Sequence, residues 1–262
     1  MITSASWMML FNLALLRAAA GCAGDACTAP CTCKNADDVE CVNAQLTSVP
    51  CHIPADSNGV YLSNNSISSV SAGDLANHTA LQYLFMDHNL LTEIGDDFFG
   101  GGTLPQLGEL FAPNNHISTV SPAALRAVPM LAYMELNDNE LTAVPDLAPL
   151  QHIAMLSLAN NKIRAITNST FAAVSTLSSI ELQGNQISTV AHAAFATNPI
   201  LRRYNGRLCL GRNPLNCCGL EWLRELPALD ALCDDLGGPA TCASPVALAG
   251  KALKRTSGTL CP

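Results

Sequence analysis

The stretch LSSIELQGNQISTVAHAAF, residues 177–195, carries the spacing that decides the fold. Ile180 and Leu182 are apolar residues two positions apart, which is the alternation of a short strand with one buried face. The polar Asn185 follows three residues later. Further apolar residues come after it at Ile187, Val190 and Phe195. One strand, one polar turn and a return segment therefore make up a single unit.

The same spacing recurs along most of the chain. Successive units are aligned on Asn65, Asn89, Asn115, Asn139, Asn161, Asn185 and Asn213, at intervals of 24, 26, 24, 22, 24 and 28 residues. An apolar pair stands five and three residues before each one: Val60/Leu62, Leu84/Met86, Leu110/Ala112, Met134/Leu136, Leu156/Leu158, Ile180/Leu182 and Leu208/Leu210. One unit cannot bury its apolar face alone, so neighbours must stack into a solenoid. The Asn amides can bond backbone groups that become exposed as the chain leaves each strand.

These residues resemble the leucine-rich repeat, LxxLxLxxNxL, and residues 177–195 fit it closely. The resemblance covers roughly residues 27–261, with about seven repeats in residues 57–210. It implies an α/β solenoid, a horseshoe with a parallel β-sheet on its concave side and loops or short helical turns on its convex side. In that fold, the residues that flank the buried strand positions line the concave surface.

The first twenty residues are typical of an export signal. WMMLFNLALL is an apolar run too short to span a bilayer, and small residues follow at Ala18 and Ala20. We expect residues 1–20 to be a signal peptide. No later window is apolar enough for a membrane span. The sequence thus predicts a secreted protein or the ectodomain of a cell-surface protein.

Twelve cysteines in an exported chain predict disulfide bonds, and they gather at the two ends of the repeat array. Residues 27–56 and 211–262 resemble the cysteine-rich N-terminal and C-terminal caps of extracellular leucine-rich repeat proteins. The resemblance implies the pairs Cys27 with Cys33, Cys31 with Cys41, Cys217 with Cys242, and Cys218 with Cys261. Such caps cover the apolar ends of a stacked array. A zinc cluster can use similar cysteine spacings, but an exported chain favours disulfides.

Besides Cys22, which follows the expected cleavage site, three further cysteines are outside that scheme. A bridge between Cys209 and Cys233 is the favoured pairing, although Cys209 is expected on the concave face. Cys51 is then alone, or joined to Cys22 if cleavage retains that residue. An odd thiol in a secreted protein is typical of intermolecular pairing, so both a monomer and a disulfide-linked dimer stay open.

Charge and motifs argue against several function classes. The formal net charge is −8, and it becomes −9 without the signal segment, because that segment removes one Arg. Nucleic-acid binding needs a concentrated basic surface, so it is not expected. No HExxH, GxSxG or phosphate-binding glycine loop occurs, and the six histidines are scattered. The sequence therefore predicts no enzyme, cofactor or metal site, and it assigns Asp96 and Asp97 to a solvated loop.

The predicted concave face carries most of the interaction signal. Five of the thirteen aromatic residues fall on its first four strands, with acidic residues among them. The candidate protein-binding residues are Tyr61, Tyr83, Phe85, Asp87, Glu109, Phe111, Tyr133 and Glu135. Exposed aromatics on a rigid sheet suit a protein interface. The alternative is that these rings only pack laterally against one another.

Two classes of function are consistent with this surface. The first is recognition, in which a receptor-type or adhesion protein binds a protein ligand on its concave face. The second is a structural component of the extracellular matrix, similar to the small leucine-rich proteoglycans. The lone Ser257-Gly258 lies near Lys254 and Arg255 rather than acids, which favours recognition. N-glycosylation sequons occur at Asn64, Asn77 and Asn168.

Overall fold

The computed structural model describes residues 29–34, 38–50, 53–201, 206–229, 233 and 238–253. The expected signal peptide lies outside these residues, as do Cys22, Cys27, Cys51 and Cys261. The Ser257-Gly258 pair also lies outside them. The statements below concern the described residues.

Nine strands form one sheet, and eight of them run parallel in chain order. The sheet consists of β1 (Thr32–Lys34), β2 (Asp38–Glu40), β3 (Gly59–Tyr61), β4 (Tyr83–Phe85), β6 (Glu109–Phe111), β8 (Tyr133–Glu135), β9 (Met155–Ser157), β11 (Ser179–Glu181) and β13 (Arg207–Cys209). Only β1 is antiparallel to its neighbour, β2. Equivalent residues pair across each parallel seam, as in Tyr83 with Glu109 and Glu109 with Tyr133. This is the predicted leucine-rich repeat horseshoe, which the structure confirms.

The return segments contain little regular structure. Three short parallel pairs join β5 (Glu93–Ile94) to β7 (Thr119–Val120), β10 (Ala165–Ile166) to β12 (Thr189–Val190), and β14 (Leu215–Asn216) to β15 (Cys242–Ser244). The helical pieces are α1 (Pro122–Arg126) and the 3₁₀ turns η1 (Glu221–Glu225) and η2 (Val246–Leu248). Helix α1 begins with Pro122 after Ser121, whose hydroxyl accepts the Ala123 N–H.

The apolar positions of the repeat form one continuous core. Both members of every predicted strand pair are buried, from Val60 and Leu62 to Leu208 and Leu210. The apolar residues of the return segments fill the other side of each coil, and Phe99, Phe171 and Phe195 are among the largest buried side chains. Burial of each such side chain contributes roughly 1.5–3 kcal/mol. Stacking therefore supplies the apolar burial that one coil lacks.

The repeated asparagines join each coil to the preceding one. Asn115 donates through Nδ2 to the carbonyls of Met86, 2.9 Å away, and Ala112, 3.2 Å away. Its Oδ1 accepts the N–H of Leu91 at 3.0 Å. With a further bond from Nδ2 to the Pro113 carbonyl at 3.3 Å, one buried amide satisfies four backbone groups, two of them on the coil before it. The predicted role of the amide in bonding exposed backbone is confirmed.

The residue before each of these asparagines has a left-handed backbone. It has a positive φ in Asn64, His88, Asn114, Asp138, Asn160, Gly184 and Arg212. Short polar side chains and glycine tolerate this conformation best. The position of His88 beside Asn89 is therefore explained by turn geometry.

Disulfides hold both ends of the array. Cys31 is bonded to Cys41, Cys209 to Cys233, and Cys217 to Cys242. These are the pairs expected from the sequence. Cys33 and Cys218 are also disulfide-bonded, and their expected partners lie outside the described residues.

The adjacent Cys217 and Cys218 point to opposite sides. Cys217 is fully buried and Cys218 is exposed. The fifth residue after the repeated Asn is buried in several other units, as Ile166 and Val190 are, so that spacing predicts a buried Cys218, and this prediction is wrong. The chain after Asn213 alternates as a strand through Leu215, so the buried position falls on Cys217.

Candidate protein-binding face

Strand register brings the candidate residues together on one face of the sheet. Tyr61, Phe85 and Phe111 are in register on β3, β4 and β6, and Glu135 follows on β8. A second row runs through Tyr83, Glu109 and Tyr133. All eight candidates lie on this surface, since Asp87 is two residues beyond Phe85, the last residue of β4. We call it the concave face.

The aromatic side chains form a ladder of rings in contact. Phe85 stacks on Phe111 with ring centroids 4.3 Å apart and planes within 5°. On its other side Phe85 stacks on Tyr61 at 4.9 Å, and Tyr133 meets Phe111 edge-on. The ladder leaves these four rings half-buried, whereas Tyr83 is 37% exposed. These rings therefore pack laterally against one another, and four of the five are half-buried rather than exposed.

Beyond the aromatic ladder, the concave face carries carboxylate side chains. The Tyr133 hydroxyl donates to Glu135 Oε2 at 2.7 Å, and Asn137 Nδ2 donates to Oε1 of the same carboxylate at 3.1 Å. On later strands, Ser157 Oγ lies 2.8 Å from Glu181 Oε2, and Glu181 pairs with Arg207 at 3.2 Å. These contacts fix the orientation of the polar side chains at the centre of the sheet.

The pKa of Tyr133 is affected by the negative charge of this region. Partial burial and the hydrogen bond to Glu135 raise the pKa of its phenol well above the ordinary value of 10.0. The charges of Glu135, Glu181 and Glu109 raise it further. The rise follows because burial and nearby carboxylates both disfavour a phenolate. Three carboxylates therefore act on one point of the concave face.

Asp87 and Glu109 have different surroundings. The Asp87 carboxylate accepts a hydrogen bond from Ser63 Oγ and lies 3.0 Å from His88 Nδ1. The Glu109 backbone N–H donates to the Gln82 carbonyl, but its carboxylate makes no hydrogen bond or ion pair with another described residue. It is half-buried between Tyr83 and Tyr133 on the neighbouring strands.

The structure adds residues to the candidate set. Met155 is 45% exposed and lies in register with Tyr133. Glu181 and Arg207 occupy the same two rows further along, and Asn137 joins them through Ser157. Strand alternation already places the first three on this face, but only the structure shows that Glu181 and Arg207 are linked to Glu135 through Ser157 and Asn137.

Cys209 ends the row that contains Phe111 and Glu135. It is in register with Glu181, as expected for a concave position, but it is fully buried. Its disulfide to Cys233 brings the C-terminal cap against the last strand, and Leu208 also pairs with Leu229. The accessible part of the row therefore ends before β13.

Two cavities lie away from this face. One of about 370 Å³ is bordered by His192, Phe195 and Trp222, where η1 meets the last return segment. The other, of about 210 Å³, is bordered by Glu93, Asp96 and Asp97, and Asp96 accepts a hydrogen bond from Ser121. Across the described residues, His, Cys, Asp and Glu side chains form no group of three suited to a metal ion.

Comparison with known families supports the architecture. The leucine rich repeat model matches residues 79–141 and 151–204, which contain the strands of the central coils. The chain contains leucine-rich repeats. Its repeat array ends in disulfide-bonded segments on both sides. The leucine-rich repeat is a non-enzymatic scaffold.

Relatives of this leucine-rich repeat protein share only part of their length with it. Human leucine-rich repeats and immunoglobulin-like domains protein 1 is 28% identical over 60% of this chain and 14% of its own length. Mouse platelet glycoprotein Ib alpha chain is 30% identical over 40% of this chain and 14% of its own. The matches thus span about a seventh of these two relatives.

A crystal structure is similar over nearly the whole fold. The human 5T4 protein, also called Wnt-activated inhibitory factor 1 or trophoblast glycoprotein, superposes with a TM-score of 0.66 and 26% identity. The similarity covers 89% of this chain and 97% of that one. Among the described residues, no helix combines the length and apolar character needed to cross a membrane.

Proposed function

We propose that this leucine-rich repeat protein binds a protein ligand on the N-terminal half of its concave face. The aromatic ladder of Tyr61, Phe85, Phe111 and Tyr133 carries the proposal. It offers a continuous apolar strip bordered by Asp87, Glu109 and Glu135. Protein interfaces are enriched in such aromatic anchors with a polar rim.

Rigidity makes the strip suited to binding. Phe85 is held between two rings, so its side chain has little rotamer freedom left to lose when a ligand binds. Ordering a mobile side chain at an interface costs about 0.5–1.5 kcal/mol. The β-sheet beneath fixes the spacing of the rings. Lateral packing therefore prepares the surface for a ligand.

We also propose an extracellular location, whether secreted or at the cell surface. Support comes from the disulfides near both ends, since such bonds persist in oxidising compartments. The signal peptide at 1–20, the caps at 27–56 and 211–262, and the repeat region at 57–210 remain predictions. The same holds for the choice between a monomer and a dimer linked through Cys51.

Glycosylation of Asn64, Asn77 and Asn168 is part of this proposal. All three side chains are exposed. Two similar proteins are named as glycoproteins, the mouse platelet protein and the human trophoblast protein. Peptide mass spectrometry of the chain made in secretory cells, with and without enzymatic removal of N-glycans, tests each position.

The binding function is tested with a pair of matched double variants. The intact chain, Phe85→Ala/Phe111→Ala and Leu90→Ala/Met130→Ala are immobilised and exposed to the same extracellular protein extract. Leu90 and Met130 are 45% and 47% exposed and lie outside the nine-stranded sheet. We expect some proteins to bind both the intact chain and the control, Leu90→Ala/Met130→Ala. The same proteins should not bind the ladder variant, Phe85→Ala/Phe111→Ala. Thermal unfolding by circular dichroism checks that both variants are folded.

Proteins that bind equally to all three baits would contradict the proposal. Hydrogen exchange of the complex then provides a second readout, since ligand binding on the concave face must protect backbone amides of β3, β4, β6 and β8. Protection confined to the C-terminal cap or the return segments would place the binding surface elsewhere.

A further inference from the structure

Acidic groups outnumber basic ones on the concave face. Along the eight parallel strands and the residue two positions after each, the charged residues are Asp38, Glu40, Asp87, Glu109, Glu135, Glu181 and Arg207. Six are acids and one is a base, and Arg207 is already paired with Glu181. Whole-chain composition is far more balanced, with 21 acids and 13 bases. The face is therefore locally more negative than the protein as a whole.

Glu109 differs from Asp87, Glu135 and Glu181 because its side chain has no hydrogen-bond or ion-pair partner among the described residues. Asp87 is bonded by Ser63, Glu135 by Tyr133 and Asn137, and Glu181 by Arg207. Glu109 has Tyr83 and Tyr133 beside it in register and Phe111 two residues on along its own strand. Glu109 is half-buried and its carboxylate oxygens are not among the fully buried polar atoms, so a cationic group of a ligand can reach them.

The rings at the centre of the aromatic ladder cannot bind a positively charged group on their faces. The attraction of a cation to an aromatic ring acts on the ring face. Both faces of Phe85 are covered, by Tyr61 and by Phe111, so mainly its edge is left for a ligand. The ladder can pack against the aliphatic stem of a long side chain, and the charged end must then be bound by a carboxylate.

We propose that Glu109 receives an arginine side chain of the protein ligand, so that the partner presents an exposed basic residue to this face. The inference rests on the proposed concave-face function and adds the chemistry of the partner. A guanidinium binds a carboxylate with two parallel hydrogen bonds, and its flat surface packs against aromatic side chains. The field of Glu135 and Glu181, which also acts on Tyr133, attracts the same group.

The test uses a single isosteric substitution and a matched control. Glu109→Gln removes the charge of the unpartnered carboxylate and keeps its shape. Glu93→Gln removes one charge from the exposed Glu93 on β5, outside the nine-stranded sheet. The probes are fluorescein-labelled peptides of alternating arginine and glycine, or of alternating glutamine and glycine. Fluorescence polarisation measures their binding at low and high NaCl concentration.

We expect the arginine peptide to bind the intact chain more tightly than the glutamine peptide. Glu109→Gln should weaken its binding by roughly fivefold to tenfold, and Glu93→Gln by much less. Glu109→Lys should abolish the preference for arginine, and added salt should weaken binding to the intact chain. Equal binding of both peptides, or equal losses from Glu109→Gln and Glu93→Gln, would overturn the inference.

This outcome is separable from failure of the proposed function. If the ladder variant loses its captured proteins and Glu109→Gln leaves arginine binding unchanged, concave-face binding stands and the basic partner is wrong. If binding of the arginine peptide depends on Glu109 but the Phe85→Ala/Phe111→Ala variant still captures the same proteins, the carboxylate site stands and the proposed protein-binding surface is wrong.

Discussion

Asn185 and Ile163 lie on adjacent coils, and the Ile163 N–H donates to Asn185 Oδ1 at 3.0 Å. The same amide donates to the carbonyls of Leu158 at 2.8 Å and Leu182 at 3.0 Å. Asn185 is buried, so water cannot replace these bonds. Its side chain therefore acts as a joint between coils.

Asn185→Ala should lower the free energy of unfolding by about 3 kcal/mol, because it leaves three buried backbone groups without partners. Asn168→Ala is the control, since Asn168 is exposed and its side chain accepts one bond, from the Ala193 N–H. We expect a cost below about 1 kcal/mol there. Urea unfolding measures both values, and equal losses would show that the buried amides are not decisive.

Gly184→Ala should destabilise the protein by about 1–2 kcal/mol. Gly184 has a φ of +71°, which is strained for alanine, and an added Cβ would collide with Oδ1 of Asn160 on the previous coil. Gly102→Ala is the matched control, since open space surrounds that position. It should stay within about 0.5 kcal/mol of the parent protein. Thermal unfolding of the two variants separates the effects.

Replacement of both Cys209 and Cys233 by alanine should cost about 3 kcal/mol of stability. The bond closes a loop with a sequence separation of 24 residues, and its loss restores that freedom to the unfolded chain. Replacing both residues avoids a free thiol. Denaturant unfolding, followed by Trp222 fluorescence in the cap, measures the change. An unchanged midpoint would mean that packing alone holds the cap.

Glu135→Gln should lower the pKa of Tyr133 toward its ordinary range, because it removes the charge and alters the hydrogen bond that help to raise it. NMR of ¹³C-labelled tyrosine follows the titration, with Glu93→Gln as the control. Tyr133 keeps its proton in the folded protein above pH 10, where the unfolded chain loses it. Unfolding therefore releases a proton there, and stability should fall as pH rises above 10.

Periodicity alone predicted the fold because every coil repeats the same physical requirement. Each strand needs a buried pair such as Leu156 and Leu158, and each turn needs an amide such as Asn161. These requirements recur in the sequence at nearly constant spacing. The register of the sheet follows from them, so the position of each concave residue was also predictable.

The surface itself was less predictable. Alternation indicates that Phe85 points away from the core, but only the three-dimensional structure shows how far its neighbours cover it. The contact between Glu181 and Arg207 depends on side-chain conformations that no spacing encodes. Cys218 shows another limit, because the spacing of the earlier units does not hold after Asn213, where the buried position falls on Cys217.

The in-register pairing of the strands also defines how such a chain can change in length. Asn115 and Asn139 make equivalent bonds to the coil before each of them. Removal of one complete unit between these two positions would bring together two coils that form the same hydrogen bonds with each other. A gene encoding this protein can thus lose or duplicate whole units without a mismatched seam. Each such event would move Glu109 and Glu181 closer together or farther apart by one strand spacing, which changes the pattern that a ligand meets.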